Sequence, residues 1–257
     1  MNYFEKLTSN KKKFLESLGI YCDNDMPKSF FEPIKSCGDN MTASEYFYCG
    51  NPDVSGNYYL PFCIRDLIGT NHDGYVNKSW IEAFCKLDRG EENLEQYFEN
   101  PDYYDKGLKT SNQELNHTSN IGVINKNGKY YVYSNAGGGN NRMIIMKIKY
   151  LALADGKSKD ELIELNKQFT FYANTRILPK NIEIANIVEQ LLWYHYKEKY
   201  TVQNISNNPD VRIFNIMHGG YLDKKLICGP LNEEEFINYS HNLIESFDEE
   251  KRIGRVK

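Results

Sequence analysis

The spacing of apolar side chains predicts helices and strands in alternation. Phe4, Leu7, Phe14, Leu15 and Leu18 fall near one face of a helix over 2–18, and Gly19 stops it. Residues 22–56 are rich in Asn, Gly, Pro, Ser and Asp without a sustained period, which predicts an irregular stretch with one short helix. Residues 58–64 are an apolar run containing Pro61, and a proline cannot donate to a ladder, so the run predicts an edge strand. Helices follow over 77–87 and 91–98. Ser79 offers a cap to the first, and Trp80, Ile81, Phe84 and Leu87 supply its apolar face. Residues 101–120 read as a polar loop.

The pattern is clearest in the middle of the chain. Strands over 121–125 and 129–133 flank Asn127-Gly128, a two-residue hairpin signal. The run Asn135-Ala136-Gly137-Gly138-Gly139-Asn140-Asn141-Arg142 breaks the alternation, and helical spacing takes over from 143 to 154. Ser158 and Glu161 form a capping box for a helix over 158–167. A strand over 169–176, a long helix over 181–200, candidate strands over 201–205, 211–217 and 222–228, and a helix over 233–247 complete the reading. The charged tail 248–257 is expected to fray. These elements predict one α/β (α+β) domain: an N-terminal helix and irregular extension over 1–57, a core with C-terminal elaboration over 58–247, and the tail.

Composition narrows the function classes. The chain has 257 residues, 31 Lys plus Arg and 35 Asp plus Glu, a net charge of −4. That length buries a real core, and 40 % hydrophobic with 26 % charged residues is a globular balance. The acidic excess disfavours nucleic acid as a partner, which needs a basic face, but leaves room for a phosphate pocket. No apolar run approaches the roughly 18 residues of a membrane helix, and the charged first turn region with Lys11, Lys12 and Lys13 lacks a signal-peptide core, so a cytoplasmic protein is expected. Cys22, Cys37, Cys49, Cys63, Cys85 and Cys228 fit neither C-x-x-C nor zinc spacing, and reduced thiols are expected.

The glycine run is the feature that stands above background. Glycines let a ligand approach the backbone closely, the first turn of the following helix presents N–H groups, and the helix dipole favours an anion there. Asn140 or Asn141 offers a cap, and Arg142 sits where its fork can hold a phosphate in two bonds. The same residues also fit a loop with a helix cap and an exposed arginine. Asp66, His72 and Asp73 lie together in Arg65-Asp66-Leu67-Ile68-Gly69-Thr70-Asn71-His72-Asp73-Gly74, where an imidazole near carboxylates can serve as a general base or join a metal site. Asn71-His72-Asp73-Gly74 is equally strong turn chemistry. Trp80 reads as a core anchor, Lys147 as turned away from the face of Arg142, Lys149 as a solvated charge, and His195 as a packing residue. His218 fits a site or a turn.

Gly128-Lys129-Tyr130-Tyr131-Val132 followed by Gly138-Gly139-Asn140-Asn141-Arg142 resembles the phosphate-binding motif of the ParB/sulfiredoxin-like superfamily. There a G-x-Y-x-V hairpin leads into a G-G-x-H-R or G-N-H-R turn and a helix, and Asn141 stands here where the family usually has His. Leu60-Pro61-Phe62-Cys63-Ile64-Arg65-Asp66-Leu67-Ile68-Gly69 is similar to its first strand and following turn, and residues 169–172 resemble its next strand. The resemblance implies a small mixed sheet with flanking helices. It implies a nucleotide-binding or phosphate-binding turn at Gly137, Gly138, Gly139, Asn140, Asn141 and Arg142, with Arg142, Asp66 and His72 as catalytic candidates. ATP or CTP with Mg²⁺ would be the cofactor. The activity would be that of a Mg²⁺-dependent nucleotide hydrolase, a nuclease or a small-molecule kinase acting on a nucleotide or phosphorylated small molecule. The second arginine of the chromosome-partitioning members and a helix-turn-helix are both missing, which disfavours partitioning. The other reading is a DNA-binding or protein-binding module of a bacterial or phage mobile element.

Overall fold

The computed structural model of the chain describes residues 2–100, 121–133, 139–198, 200–219 and 224–252. The loop expected over 101–120, Gly137 and Gly138 of the glycine run, and the side chain of His195 lie outside the described residues. The elements are mixed α/β, as the alternation predicts. The chain divides into two compact units, Met1–Asn40 with Tyr59–Thr175, and Met41–Tyr58 with Arg176–Lys257.

The first unit is built on a mixed sheet. Its strands are β1 (Lys35–Ser36), β2 (Tyr58–Cys63), β3 (Leu67–Thr70), β4 (Gly122–Lys126), β5 (Lys129–Val132) and β6 (Thr170–Ile177), in the order β1-β3-β5-β4-β6-β2. Strand β2 takes the edge position that Pro61 requires. Strands β4 and β5 form the expected hairpin, closed by Asn127 at φ 53° and Gly128 at φ 77°. Two left-handed residues in succession give the turn whose twist matches the strands. Strands β1 and β3 escape the sequence pattern. The first is two residues long, and the second carries Gly69 in its four. That glycine is needed because β1 runs so close that a Cβ there would collide with the Lys35 carbonyl.

Helices α1 (Ser9–Glu16), α4 (Trp80–Cys85), α5 (Gly90–Glu99), α6 (Asn140–Ala154) and α7 (Lys159–Gln168) belong to this unit. The helix expected over 2–18 is interrupted, because Leu7 and Thr8 are extended and Thr8 becomes the N-cap of α1. Gly19 does stop it, at φ 81°. Helix α6 is apolar nearly all round, and Met143, Ile144, Ile145, Met146 and Ile148 are all buried in the core with Phe62, Ile64, Phe171 and Val132. Phe14 of α1 joins the same core, 5.6 Å from the ring of Phe84 and 5.3 Å from that of Tyr97.

Trp80 is a core residue at the start of α4, and Ser79 caps it. The Ser79 hydroxyl accepts from the Glu82 amide at 3.3 Å, and Glu82 Oε2 accepts from the Ser79 amide at 2.8 Å. Ser79→Ala is expected to cost about 1 kcal/mol of stability, read as a lower urea midpoint with an unchanged slope.

The second unit holds α2 (Ala43–Gly50), α3 (Pro52–Ser55), α8 (Ile182–Glu198), α9 (Glu233–Arg252) and an antiparallel sheet of β7 (Tyr200–Asn204), β8 (Phe214–His218) and β9 (Lys225–Leu231). Tyr48, Ile184, Val188, Val202, Ile216, Phe214 and Phe236 are buried here, the last two with ring centroids 4.3 Å apart. The buried Arg212 binds the Ile177 and Leu178 carbonyls, the Tyr48 hydroxyl and Glu233. Among the described residues no helix is long and apolar enough to cross a membrane.

Candidate functional site

Parallel pairing of β3 and β5 sets Thr70 beside Val132. Residues 71–75 therefore follow β3 at the same end of the sheet at which β5 finishes. The Asn71 amide donates to the Val132 carbonyl at 3.0 Å and ties that loop to the end of β5.

Helix α6 begins at this end. Gly139 is its N-cap, and no side chain caps it. The first intrahelical bond runs from the Met143 amide to the Gly139 carbonyl at 3.0 Å. The Asn140 and Asn141 amides lie ahead of it in the first turn, the position at which a helix start suits an anion. Asn140 is buried, and its Oδ1 accepts from the Thr70 hydroxyl at 2.5 Å. That hydroxyl in turn accepts from the His72 amide at 3.0 Å. Asn141 Oδ1 accepts from the Tyr75 hydroxyl at 2.7 Å. Arg142, in the first turn, is only 8 % exposed, so its guanidinium sits in a water-poor setting instead of on the surface. Charge interactions are stronger there than in bulk water.

His72 is exposed at the rim. Its ring stacks on that of Tyr75 with centroids 4.5 Å apart, and its Nδ1 accepts from the Gly74 amide at 3.1 Å. With Nδ1 accepting, the neutral ring carries its proton on Nε2. The turn chemistry of Asn71-His72-Asp73-Gly74 is thus realised in the same loop that reaches the glycine turn.

Asp66 lies at the far end of β3. The four strand residues between it and the loop span about 13 Å. Its carboxylate is occupied by Arg65, through Nε at 3.2 Å and Nη2 at 2.8 Å, and by Lys129 Nζ at 3.4 Å. Partial burial pushes the Asp66 pKa up, but the bonds and charges of Arg65 and Lys129 outweigh it and hold the carboxyl below its usual range. Asp66 therefore stays ionised and paired, away from the turn. Among the described residues no group of three His, Cys, Asp or Glu side chains is placed to hold a metal ion. With Asp66 engaged by Arg65 and Lys129, its carboxylate is not a free metal ligand.

Of the candidates singled out from the sequence, the fold brings Gly139, Asn140, Asn141, Arg142 and His72 to one edge and leaves Asp66 at the other. Behind the turn, Thr70, Trp80, Asn140, Met143 and Ile144 line a cavity of only about 10 Å³. Ligand pockets for drug-sized molecules run from roughly 300 Å³ upward, so a nucleotide would lie on the loop side and not inside it. Thr70 and Tyr75 were invisible as site residues in the sequence, since their partners are 70 and 66 positions away.

Lys147 and Lys149 also differ from simple surface charges. Lys147 is buried, and its Nζ donates to the Ile64 carbonyl at 3.0 Å and the Arg65 carbonyl at 2.9 Å. Lys149 Nζ lies 4.9 Å from the centre of the Tyr97 ring. His218 is exposed at the end of β8, its ring 5.2 Å from that of Tyr200. All six cysteines are free thiols. In comparisons with known proteins, no family model, no curated protein and no solved structure matches the chain.

Proposed function

We propose that this chain is a phosphate-binding or nucleotide-binding protein of the ParB/sulfiredoxin-like kind, with the ligand's phosphoryl oxygens at the glycine turn. The observation that carries the reading is the junction of β5 with the uncapped start of α6, where Arg142 occupies the first turn. The first turn of α6 supplies backbone N–H groups and a guanidinium in sequence, with no carboxylate among Gly139, Asn140, Asn141 and Arg142. Such a set stabilises charge on several acceptor oxygens at once. Phosphoryl transfer or hydrolysis would further need a proton acceptor, and His72 at the rim is the candidate, through Nδ1 once it gives up the Gly74 amide. Asp66 is not, being paired with Arg65 and Lys129.

The test is a thermal-shift titration with ATP and CTP, each with and without Mg²⁺, and with inorganic phosphate. A ligand at 100 times its dissociation constant stabilises by about 2.7 kcal/mol, a readable shift. Arg142→Lys keeps the charge and loses the fork, and is expected to weaken binding by about tenfold, or roughly 1.4 kcal/mol. The reading fails if no probe shifts the wild-type protein, or if Arg142→Lys and Arg142→Ala bind as the wild type does.

A further inference from the structure

We propose that the outer face of α8 is a self-association surface, on which a second copy of this chain packs its own α8 antiparallel. The proposal is independent of the phosphate reading. Helix α8 runs for 17 residues from Ile182 to Glu198. Ile184, Ala185, Ile187, Val188, Leu191 and Leu192 turn inward and are buried. Their recurrence at three- and four-residue spacing fixes which way the other side chains point. Ile182, Asn186, Gln190 and Trp193, spaced by four, four and three, form one exposed stripe along the opposite side. Its two ends are large and apolar, with Ile182 43 % and Trp193 67 % exposed. A solvated helix face ordinarily carries charge, and 26 % of this chain is charged, yet none of the four stripe residues is. Between the stripe's ends the charged residues are Glu183 and Glu189, and both are engaged within the second unit. Glu189 accepts from the Ser44 hydroxyl, and Glu183 lies 3.1 Å from His241 Nε2.

The stripe is its own complement. A two-fold axis crossing α8 at the level of Val188 sets Ile182 against the partner's Trp193, and Asn186 against the partner's Gln190. An indole then covers an aliphatic side chain at each end. The primary amides between them each have a donor and an acceptor, so they satisfy one another. A parallel pair would stack indole on indole at one end and isoleucine on isoleucine at the other, which wedges the helices apart and aligns their dipoles unfavourably. A partner recognised by charge finds nothing to pair with on the four residues, and two copies meet no like charges there. From Ile182 to Trp193 is eleven residues, or about 17 Å at 1.5 Å per residue. That is short for the roughly 800 Å² per partner of a standard interface. The dimer is therefore a weak one, with a Kd of about 100 μM, carried by the indole contacts at its two ends.

The experiment is sedimentation equilibrium of the full chain from about 5 μM to about 500 μM, a range that brackets the expected Kd. The mass is expected to rise from one chain toward two. Tryptophan emission should move to the blue over the same range. The chain has two tryptophans, and Trp80 is already buried, so that shift reports Trp193. Trp193→Glu and Ile182→Lys are each expected to raise Kd at least tenfold and to leave the circular dichroism spectrum unchanged, since both side chains are solvated in the single chain. The double variant Ile182→Lys with Trp193→Glu brings opposite charges together at both ends of an antiparallel pair, and like charges together in a parallel one. It is expected to associate about threefold more tightly than Trp193→Glu alone. A wild-type chain that stays monomeric over the whole range overturns the proposal, and so does a dimer that neither single variant weakens. A double variant no tighter than the single ones overturns the antiparallel pairing, and the proposal with it. These outcomes are the same whether or not ATP, CTP or phosphate binds, so failure here leaves the phosphate reading to its own test.

Discussion

Arg212→Ala is expected to remove most of the stability of the second unit, about 3–5 kcal/mol. The side chain is 5 % exposed and is held from four directions. Its Nη2 donates to the Leu178 carbonyl at 2.9 Å and the Ile177 carbonyl at 3.2 Å, its Nε to the Tyr48 hydroxyl at 3.2 Å, and its Nη1 lies 3.4 Å from Glu233. One guanidinium thus joins residues 177–178, the last turn of α2 and the start of α9, all within the second unit. Truncation to alanine strands two carbonyls and a phenol without a partner, and each stranded buried group costs about 1–3 kcal/mol. Against a typical total of about 5–15 kcal/mol, that is a large share. Arg212→Lys restores the charge but not the fork, and should recover less than half of the loss. Tyr48→Phe removes one bond of the set and should cost about 1 kcal/mol. Urea denaturation followed by circular dichroism measures all three. An Arg212→Ala midpoint within experimental error of wild type would refute the account.

The second large effect is a pH dependence carried by Lys147. Burial draws its pKa down to about 8, against the upward pull of Glu32, Asp66 and Cys63. An unfolded lysine titrates near 10.4, so between these values the unfolded chain holds a proton that the folded one has shed. Stability then rises with pH across that window, by about 1 kcal/mol per unit. The neutral amine has two N–H bonds, one for each carbonyl it meets, so deprotonation leaves both bonds in place. Buried thiols work in the opposite direction. Burial pushes Cys37 up to about 12 and raises Cys63 and Cys85, so the folded chain keeps protons that the unfolded chain loses, and stability falls as the unfolded thiols ionise.

Comparison with Lys147→Met separates the two, since both proteins carry the same cysteines. The stability advantage of wild type over Lys147→Met is expected to widen by about 2 kcal/mol between pH 7.5 and pH 10. At pH 7 the variant should already be less stable, because methionine cannot serve the Ile64 and Arg65 carbonyls. A difference that stays flat with pH would show that Lys147 titrates as an ordinary surface lysine.

Much of the fold was legible in the sequence where local chemistry decides it. Asn127-Gly128 marks a hairpin because two left-handed residues are needed there. Ser79 and Ser158 mark helix starts because their capping partners lie three residues on. Pro61 marks an edge. Strands β1 and β3 were not legible, since two- and four-residue strands have no period to detect and exist only because β5 gives β3 a neighbour and β3 gives β1 one. The candidate site divides in the same way. Its glycine run and Arg142 are consecutive in the chain and could be read directly. Thr70 and Tyr75 meet Asn140 and Asn141 only through the parallel pairing of β3 with β5, which no spacing encodes. The same pairing separates Asp66 from His72. Six positions apart in sequence, they sit close on paper and at opposite ends of a strand in the fold.

The order of strands also constrains how the chain is made. In the sheet β2 has β6 as its neighbour, yet Cys63 and Thr170 are 107 residues apart. A ribosome adding roughly 5–20 residues per second takes about 5–20 s to cover that distance. For that interval the nascent Tyr58–Cys63 segment carries its aromatic and aliphatic side chains while its strand partner is not yet synthesised. Pro61 then serves the growing chain before it serves the sheet: a segment missing one backbone donor is a poor template for pairing with the same segment on a neighbouring polysome.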